Sequence, residues 1–338
     1  MIENNIDDSL NFVCEDLSTI FTCPACKQAN LKFVGDNDSS DRSNSQLECD
    51  HCNTVFAITD GIPRLVELDN YSESFGYQWN IHSKTQLDSH SGLSISDKRL
   101  FDATGWAKKS MQGQRVLEAG SGAGRFTEVL VGTEADIYSF DFSRAVDANA
   151  RNNGSAKNLT LFQGDIFNIP FPDDHFDHVI CLGVIQHTPD PEAAFMSLAK
   201  KVKPGGSLNI DVYTQSWYHY LHWKYILRPI TMKMDREQLY RLISRVTPYF
   251  VPPARMLRKL FGRAGARLVP IVEFSYLGLD SELNKEWAIL DTFDMYSPAH
   301  DHPQSMKTVK RWFSEGGFEN VKVWYGANGV VGRGYRSL

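Results

Sequence analysis

Residues 116–126 read VLEAGSGAGRF, a short apolar run that ends in three closely spaced glycines. This pattern is typical of a buried strand followed by a turn that approaches a nucleotide. Three kinds of site begin in this way: a dinucleotide site, a phosphate loop, and a site for S-adenosylmethionine (SAM). The rest of the chain has to distinguish them.

The spacing of the glycines weakens two of these alternatives. A dinucleotide fingerprint needs a third glycine three residues after the second, where the helix packs closely on the strand. That position is Arg125 in this chain. A phosphate loop needs Gly-Lys-Ser/Thr, and no lysine follows Gly124. The glycines instead stand at alternate positions, Gly120, Gly122 and Gly124, two residues after Glu118.

Strand and helix patterns alternate between residues 114 and 213. Five apolar strand-like runs are RVLEAG, ADIYSFDFS, LTLFQGD, HFDHVICLGV and SLNIDVY, and helical patterns separate most of them. This alternation predicts an α/β fold with a mostly parallel sheet and crossover helices. Ligands of such sheets bind beyond the carboxyl ends of the strands.

The overall composition is that of a soluble globular protein. The 338 residues are 42% hydrophobic and 22% charged, with a net charge of −6, which argues against a chain that coats nucleic acid through its overall field. The acidic N-terminus resembles neither a secretory signal nor a membrane span, and no apolar run of about 18 residues occurs. We therefore expect a cytoplasmic protein without stable membrane insertion.

The Glu-x-Gly-x-Gly-x-Gly sequence resembles the first motif of class I SAM-dependent methyltransferases. The resemblance covers residues 114–213 and resumes near the C-terminus. It implies a Rossmann-like, mostly parallel seven-stranded sheet with helices on both faces. It also implies that the backbone at Gly120, Gly122 and Gly124 approaches the amino-acid tail of SAM, and that Glu118 interacts with the ammonium group of this tail.

Two later strand ends extend the predicted cofactor site. Asp141 ends the second strand, 21 residues after Gly120. An acid at this point accepts hydrogen bonds from ribose hydroxyls, with Phe142 beside the adenine. The resemblance further implies that Asp165 binds the adenine amino group and that Ile166 packs on the ring. The alternative for both acids is that they cap helices.

The fourth strand ends in CLGVIQHTPD, similar to the loop that lies under the sulfonium in this family. The resemblance therefore places Leu182 and Gly183 at the cofactor. His187 follows directly and is the candidate general base. The alternative is that His187 only orients the loop through a backbone hydrogen bond.

Four cysteines near the N-terminus predict a metal site. Cys23 and Cys26 form one C-x-x-C pair, Cys49 and Cys52 form another, and 22 residues separate the pairs. This spacing is typical of a structural zinc site, in which four thiolates leave no open position for catalysis. Disulfides are the alternative, and the expected compartment disfavours them.

The segment that begins at the second pair, CDHCNTVFAITDGIPRLV, resembles zinc ribbons of the Trm112 type. The match covers residues 23–66. Small ribbons of this kind stabilise methyltransferases as partners or as fused N-terminal domains, and the resemblance implies such a role here.

The predicted domain order has five parts. They are a zinc-ribbon domain (1–68), a linker and aromatic cap (69–110), a SAM-binding core (111–213), a helical and basic insertion or lid (214–300), and a C-terminal helix with closing strands (301–338). The aromatic residues of the second part either pack the domains together or cover a cofactor or substrate mouth. In the latter case, Gln78 and Trp79 contact the substrate.

The insertion is strongly basic. Residues 214–270 contain eleven Lys or Arg residues and two acids. Three interpretations stay open: a solvated helical face, a lid over an anionic or amphiphilic substrate, and a surface for RNA or anionic lipid. Candidate substrate-binding residues are Tyr218, His300 and His302, and the insertion is expected to precede the last two strands.

The leading functional prediction is a SAM-dependent methyltransferase with a structural zinc ion and a small-molecule or glycan-type acceptor. One alternative is a tRNA or rRNA methyltransferase that grips RNA with the ribbon and the basic insertion. A second alternative is a non-catalytic SAM-binding or scaffold protein, against which the acids Glu118, Asp141 and Asp165 argue. The sequence predicts no oligomeric state.

Overall fold

The computed structural model describes residues 20–35, 45–66, 72–107, 110–215 and 222–338. The N-terminal part is a small antiparallel sheet in the order β1-β2-β3-β4. Its strands are β1 (Leu31–Val34), β2 (Gln46–Cys49), β3 (Val55–Thr59) and β4 (Ile62–Pro63). The two cysteine pairs lie at the turns beside this sheet, as expected for a ribbon.

The central sheet has seven strands in the order β10-β11-β9-β8-β5-β6-β7. The strands are β5 (Arg115–Ala119), β6 (Asp136–Asp141), β7 (Leu159–Gln163), β8 (Phe176–Leu182), β9 (Val202–Val212), β10 (Phe318–Tyr325) and β11 (Val330–Arg336). Strands β5 to β9 run parallel, whereas β11 is antiparallel to both of its neighbours. This arrangement confirms the predicted fold class and the insertion before the last two strands.

Ten α-helices occur within the described residues. Three precede the central sheet, three lie between its strands, three belong to the insertion, and one precedes β10. They are α1 (Glu73–Ile81), α2 (Asp88–Ser91), α3 (Ile95–Thr104), α4 (Thr127–Val131), α5 (Ala145–Asn153), α6 (Pro191–Lys201), α7 (Trp223–Thr231), α8 (Arg236–Ala266), α9 (Ser281–Tyr296) and α10 (Met306–Glu315). The segment that was predicted as a linker is thus largely helical.

Aspartates begin three of these helices. Asp190, Asp235 and Asp280 each accept hydrogen bonds from backbone N–H groups in the first turns of α6, α8 and α9, respectively. Such caps satisfy donors that have no partner inside the helix. None of the described helices is long and apolar enough to cross a membrane.

The ribbon and the central sheet share one hydrophobic core. The Phe21 ring lies 5.1 Å from that of Phe162 on β7 and 5.4 Å from that of Phe171. The backbone N–H of Leu65 donates to the carbonyl of Gln163 at 2.9 Å, so the chain after β4 continues along the edge strand β7. Buried Arg64 forms an ion pair with Asp147 of α5 at 2.6 Å. Apolar and polar contacts therefore both hold the ribbon on the core.

Phe21 provides a test of this attachment. Replacing the fully buried ring with alanine is expected to lower the free energy of unfolding by about 3–5 kcal/mol, because transfer energy is lost and a cavity remains. Chemical denaturation followed by fluorescence measures the change. The control is Val55→Ala, on a side chain that is 48% exposed, which should shift stability by less than about 0.5 kcal/mol. Equal effects of both variants would contradict a shared core.

Candidate active site

A cavity opens at the carboxyl ends of the parallel strands. Its volume of about 490 Å³ lies in the range of about 300–1,000 Å³ that is typical of ligand sites. One side is formed by the turns after β5, β6 and β8, and the other by the end of β9 and by the insertion. Helices α1 and α3 close it further, so segments distant in sequence meet at one site.

The glycine-rich turn forms part of the wall. Gly120 and Gly122 have φ values of 78° and 54°, a region that L side chains rarely adopt. A Cβ atom on Gly120 would overlap the side chain of Val184, and one on Gly122 would lie 3.2 Å from the Trp79 ring. The glycines therefore allow Trp79 and the loop after β8 to approach the backbone closely.

Asp141 holds this turn against the end of β6. Its Oδ2 accepts a hydrogen bond from the Gly122 N–H at 2.9 Å, and its Oδ1 accepts from the N–H and hydroxyl of Ser143 at 2.8 and 2.7 Å. Burial raises the pKa of Asp141, whereas these donors oppose the rise. Asp141 and the adjacent Phe142 both line the cavity.

Glu118 and Gly124 do not line the cavity. The Glu118 Oε2 accepts hydrogen bonds from the hydroxyls of Thr127 and Ser139 at 2.5 and 2.8 Å, beneath the turn. Burial raises the pKa of Glu118 to about 7. A Cβ atom on Gly124 would overlap Asn149 of α5. Both residues thus support the turn from the core. The second carboxylate oxygen of Glu118, Oε1, is buried and has no hydrogen-bond partner within the described residues, and the predicted contact with the SAM ammonium group stays a prediction.

The remaining predicted cofactor residues lie in the loops after β7 and β8, and not all of them line the cavity. Ile166, Leu182 and Gly183 line the cavity. Asp165 does not, since its carboxylate accepts hydrogen bonds from the Phe167 N–H and the Asn168 amide at 2.9 and 3.0 Å. These hydrogen bonds lie within a turn, and no helix begins at Asp165, so the helix-capping alternative does not apply there and the predicted contact with adenine stays a prediction.

His187 lines the cavity in a defined tautomer. Its Nδ1 lies 3.1 Å from the carbonyl oxygen of His300. Because a carbonyl only accepts, Nδ1 carries the proton and Nε2 keeps its lone pair. The ring packs against Phe75 and Tyr213, and burial lowers the pKa of His187, so the imidazole is neutral at pH 7. The backbone hydrogen bond and a role as a base are thus compatible.

Of the other described residues predicted to bind the substrate, only one lines the cavity with its side chain. Trp79 lines the cavity, whereas Gln78 is fully buried beside it and does not. The rings of His300 and His302 stack on one another at 5.8 Å, outside the cavity lining. His300 contributes its backbone carbonyl instead, a role that no side-chain pattern can predict. Tyr218 lies outside the described residues.

Two aspartates of α9 face the cavity, and the sequence analysis did not single them out. Asp291 and Asp294 both line it. Burial and the nearby Asp294 raise the pKa of Asp291 from 3.8 to about 7. Asp294 accepts a hydrogen bond from the hydroxyl of Tyr213 at 3.0 Å. Two acids three positions apart in the mainly apolar second half of α9 were the available signal.

Two arginines complete the polar lining. Arg99 of α3 forms an ion pair with Asp211 at 2.7 Å, and Asn328 donates to the same carboxylate at 3.0 Å. Burial lowers the pKa of Arg125 to about 9. Its guanidinium donates to Ser96 at 3.1 Å and lies 5.6 Å from the Trp287 ring. Arg125, which excluded a dinucleotide fingerprint in the sequence, is therefore part of the cavity wall.

The side of the cavity that the insertion forms is aromatic as well as charged. Phe274, Tyr276 and Trp287 line it together with Tyr213. The Lys224 ammonium lies 4.8 Å from the centre of the Tyr213 ring and pairs with Asp301 at 2.7 Å. This side thus combines flat apolar surfaces with carboxylates and a neutral imidazole.

The four cysteines of the ribbon converge on one point. Their sulfur atoms all lie within 4.8 Å of one another, with 3.7 Å between Cys23 and Cys52 and 3.6 Å between Cys26 and Cys49. A tetrahedral zinc ion with Zn–S bonds of about 2.3 Å requires sulfur–sulfur distances of about 3.8 Å. The arrangement therefore fits a four-cysteine zinc site, with the Thr54 hydroxyl 3.1 Å from the Cys52 sulfur.

Comparisons with known proteins agree with this architecture. A family model described as a methyltransferase domain matches residues 117–210. A ubiquinone biosynthesis O-methyltransferase from Coxiella burnetii is 25% identical over 180 residues, which cover 52% of this chain and 73% of the relative. A demethylmenaquinone methyltransferase from Staphylococcus saprophyticus is 27% identical over 190 residues, covering 50% and 80%.

Among solved structures, a SAM-dependent methyltransferase from Thermotoga maritima is similar at 18% identity. It covers 79% of this chain and 99% of that one, with a TM-score of 0.42. The matched domain and the curated relatives show a SAM-dependent methyltransferase domain at residues 117–210, on a sheet with a Rossmann-like strand order.

Proposed function

We propose that the enzyme methylates a small-molecule acceptor bound in the cavity between the central sheet and the insertion. The observation that carries the proposal is the division of this one cavity into two unlike sides. The side at β5, β6 and β8 has an open glycine backbone and an acid at the end of the second strand. The other side is aromatic and bears acids and a neutral histidine.

The first side has the features that SAM requires. Asp141 would accept hydrogen bonds from the ribose, with Phe142 and Ile166 beside the adenine. The backbone at Gly120 and Gly122 would approach the amino-acid tail. SAM supplies an already activated methyl group, so the protein mainly has to position an acceptor and to remove a proton where the acceptor requires it.

His187 is the proposed general base on the second side. Its Nε2 lone pair is available because Nδ1–H is held by the His300 carbonyl. An acceptor hydroxyl or amine would lose its proton to Nε2 as its oxygen or nitrogen gains the methyl group. Tyr213 and Asp294, which hydrogen-bond to one another, would orient the acceptor.

The aromatic lining indicates the class of acceptor. Phe274, Tyr276 and Trp287 provide flat surfaces on which a ring packs well. Two relatives are named for ubiquinone biosynthesis and for demethylmenaquinone, and these names support a ring-shaped acceptor that bears oxygen. We therefore favour a phenolic or quinone-like small molecule over a glycan.

We further propose that the four cysteines hold a structural zinc ion. Four thiolates would complete the tetrahedron, so the ion would stabilise the ribbon without a catalytic position. The ribbon contacts β7 rather than the cavity, which supports a structural role.

Metal analysis tests the zinc site. Freshly purified, reduced protein is expected to contain one zinc ion per chain, and a chelator should lower its melting temperature, because metal binding contributes directly to folding. Cys49→Ser should abolish zinc binding. Cys181→Ala, at the buried cysteine on β8, is the control and should retain the metal. Zinc-free protein that is fully folded would contradict the proposal.

Calorimetry with SAM tests the cofactor side. Asp141→Asn is expected to weaken SAM binding about tenfold or more, because hydrogen bonds to a charged group contribute about 1.5–3 kcal/mol. The matched control is Asp136→Asn, an exposed acid at the opposite end of the same strand β6, which should bind SAM as the unmodified protein does. Equal affinities in both variants would remove Asp141 from the site.

His187→Gln tests the acceptor side. Release of S-adenosylhomocysteine would be measured with catechols, hydroxyquinones and aromatic amines as acceptors. For an acceptor that must lose a proton, the variant should lower kcat by about 10²–10⁴-fold while its affinity for SAM is retained. Since the pKa of His187 is lowered by burial, activity should persist below pH 6.5 and decrease only under more acidic conditions.

His90→Gln, at an exposed histidine, is the control and should retain full activity. Normal turnover by His187→Gln would show that His187 is not the base. Tight SAM binding without turnover of any ring-shaped acceptor would contradict the proposed acceptor class.

A further inference from the structure

Exposed apolar side chains are concentrated on the insertion. Among the described residues, 18 large hydrophobic side chains are exposed, and 11 of these lie between residues 223 and 268. Most of the other seven are scattered over the ribbon, the sheet edge and the C-terminus. Contiguous exposed apolar surface of this kind marks an interaction site rather than an ordinary protein surface.

The apolar residues of α8 follow a helical period. Leu242, Val246, Tyr249, Met256 and Leu260 are all exposed, and their spacing places them along one side of the helix. The adjacent side of α8 is buried, because Leu239 and Ile243 pack against Ile289 and Phe293 of α9. The exposed residues therefore form a second apolar stripe that the fold itself does not cover.

Basic residues border this stripe on its other side. At 100° per residue, Arg245, Lys259 and Arg255 fall on the side of the stripe that is turned away from the buried side, all before the break of α8 at Gly262. All three are exposed, and none forms an ion pair within the described part of the chain. An apolar stripe with a flanking row of cations is the pattern of a helix that lies in the plane of a membrane interface.

Helix α7 extends the same surface. Trp223, Ile226 and Ile230 are 36%, 53% and 65% exposed and recur at helical spacing. The Trp223 indole N–H donates to the carbonyl of Leu268 at 3.1 Å, so the start of α7 lies beside the end of α8. Leu268 is itself 63% exposed.

This surface borders the mouth of the active-site cavity. The Arg258 guanidinium of α8 lies 4.6 Å from the centre of the Tyr276 ring and pairs with Glu273. Tyr276 both lines the cavity and is 57% exposed, which places it at the opening. Met256 and Lys259 line a neighbouring groove together with Ser275, directly before Tyr276.

We propose that α7 and α8 form a docking surface for an anionic lipid bilayer. The apolar side chains enter the interface while the flanking arginines and lysine contact anionic headgroups. A second copy of the chain fits this surface less well, because the basic rows would repel one another. RNA fits less well because the stripe is mainly aliphatic, whereas bound bases stack on aromatic rings.

Docking in this orientation has a consequence for the enzyme. The cavity mouth at Tyr276 would face the bilayer, so an amphiphilic acceptor could enter from the lipid phase without crossing water. This consequence rests on the proposed function. The docking itself does not, because it follows from the surface of α7 and α8 alone.

Vesicle co-sedimentation of the full chain tests the docking surface. Vesicles of equal parts phosphatidylcholine and phosphatidylglycerol are expected to bind the protein at least about tenfold more tightly than pure phosphatidylcholine, and added salt should weaken this binding. Equal binding to both vesicle types, or binding to neither, would overturn the proposal.

Two variants separate the apolar and the basic contributions. Tyr249→Ser combined with Leu260→Ser should lower the partition coefficient about tenfold or more, because two exposed side chains no longer enter the interface. Arg255→Glu combined with Lys259→Glu should remove the preference for phosphatidylglycerol. The matched control, Val34→Ser combined with Val55→Ser, changes two exposed valines of the ribbon and should bind vesicles normally.

Further measurements distinguish the bilayer from a second copy of the chain and from RNA. Calorimetry with SAM should give unchanged affinity in all three double variants, which shows that they are folded and keeps this test distinct from that of the proposed function. Retained vesicle binding by the Tyr249→Ser, Leu260→Ser variant would overturn the docking surface. Light scattering that shows a dimer lost in this variant, or tighter binding to single-stranded RNA than to anionic vesicles, would also overturn it.

Discussion

The hydrogen bond between the Gly122 N–H and the Asp141 carboxylate is the contact on which the site depends. It joins the turn after β5 to the end of β6, two adjacent parallel strands whose carboxyl ends border the cavity. The turn can take this path only because Gly120 and Gly122 adopt positive φ. Beneath it, Glu118 binds Thr127 and Ser139, so the turn is held from both sides. A rigid turn of this kind allows Trp79 and the loop after β8 to close over it.

Three parts of the chain are built around this fixed point. The ribbon packs on β7 at the edge of the sheet and shares its core. The helices before β5 contribute Trp79 and Arg99 to the cavity wall. The insertion contributes the opposite wall through α9 and presents α8 outwards. In the proposed function, the sheet thus supplies the chemistry of methyl transfer, and the added segments contribute to stability and to binding of the acceptor.

The sequence predicts features whose determinants are close together along the chain. The glycine turn and Asp141 lie within 25 residues of one another, and each cysteine pair is local, so spacing alone identifies them. The sheet follows from its alternating pattern. Asp291, Asp294 and Arg99 could not be found in this way, because only the packing of the insertion and of α3 brings them to the cavity. The role of Asp165 stays a prediction: its carboxylate accepts local hydrogen bonds from Phe167 and Asn168 and lies outside the cavity lining.

Asp291 and Asp294 of α9 show how stability and function compete at this site. Burial and the proximity of Asp294 raise the pKa of Asp291 from 3.8 to about 7. An acid whose folded-state pKa is raised binds more protons in the folded chain than in the unfolded one. Folding therefore becomes less favourable as the pH rises from about 4 to about 7, and at neutral pH this cost is nearly complete. A wall that served only packing would carry an apolar side chain at this position. The cost instead falls at the cavity, next to Arg125, whose charge compensates part of it. This position supports the proposed role of the acids in recognition of the acceptor.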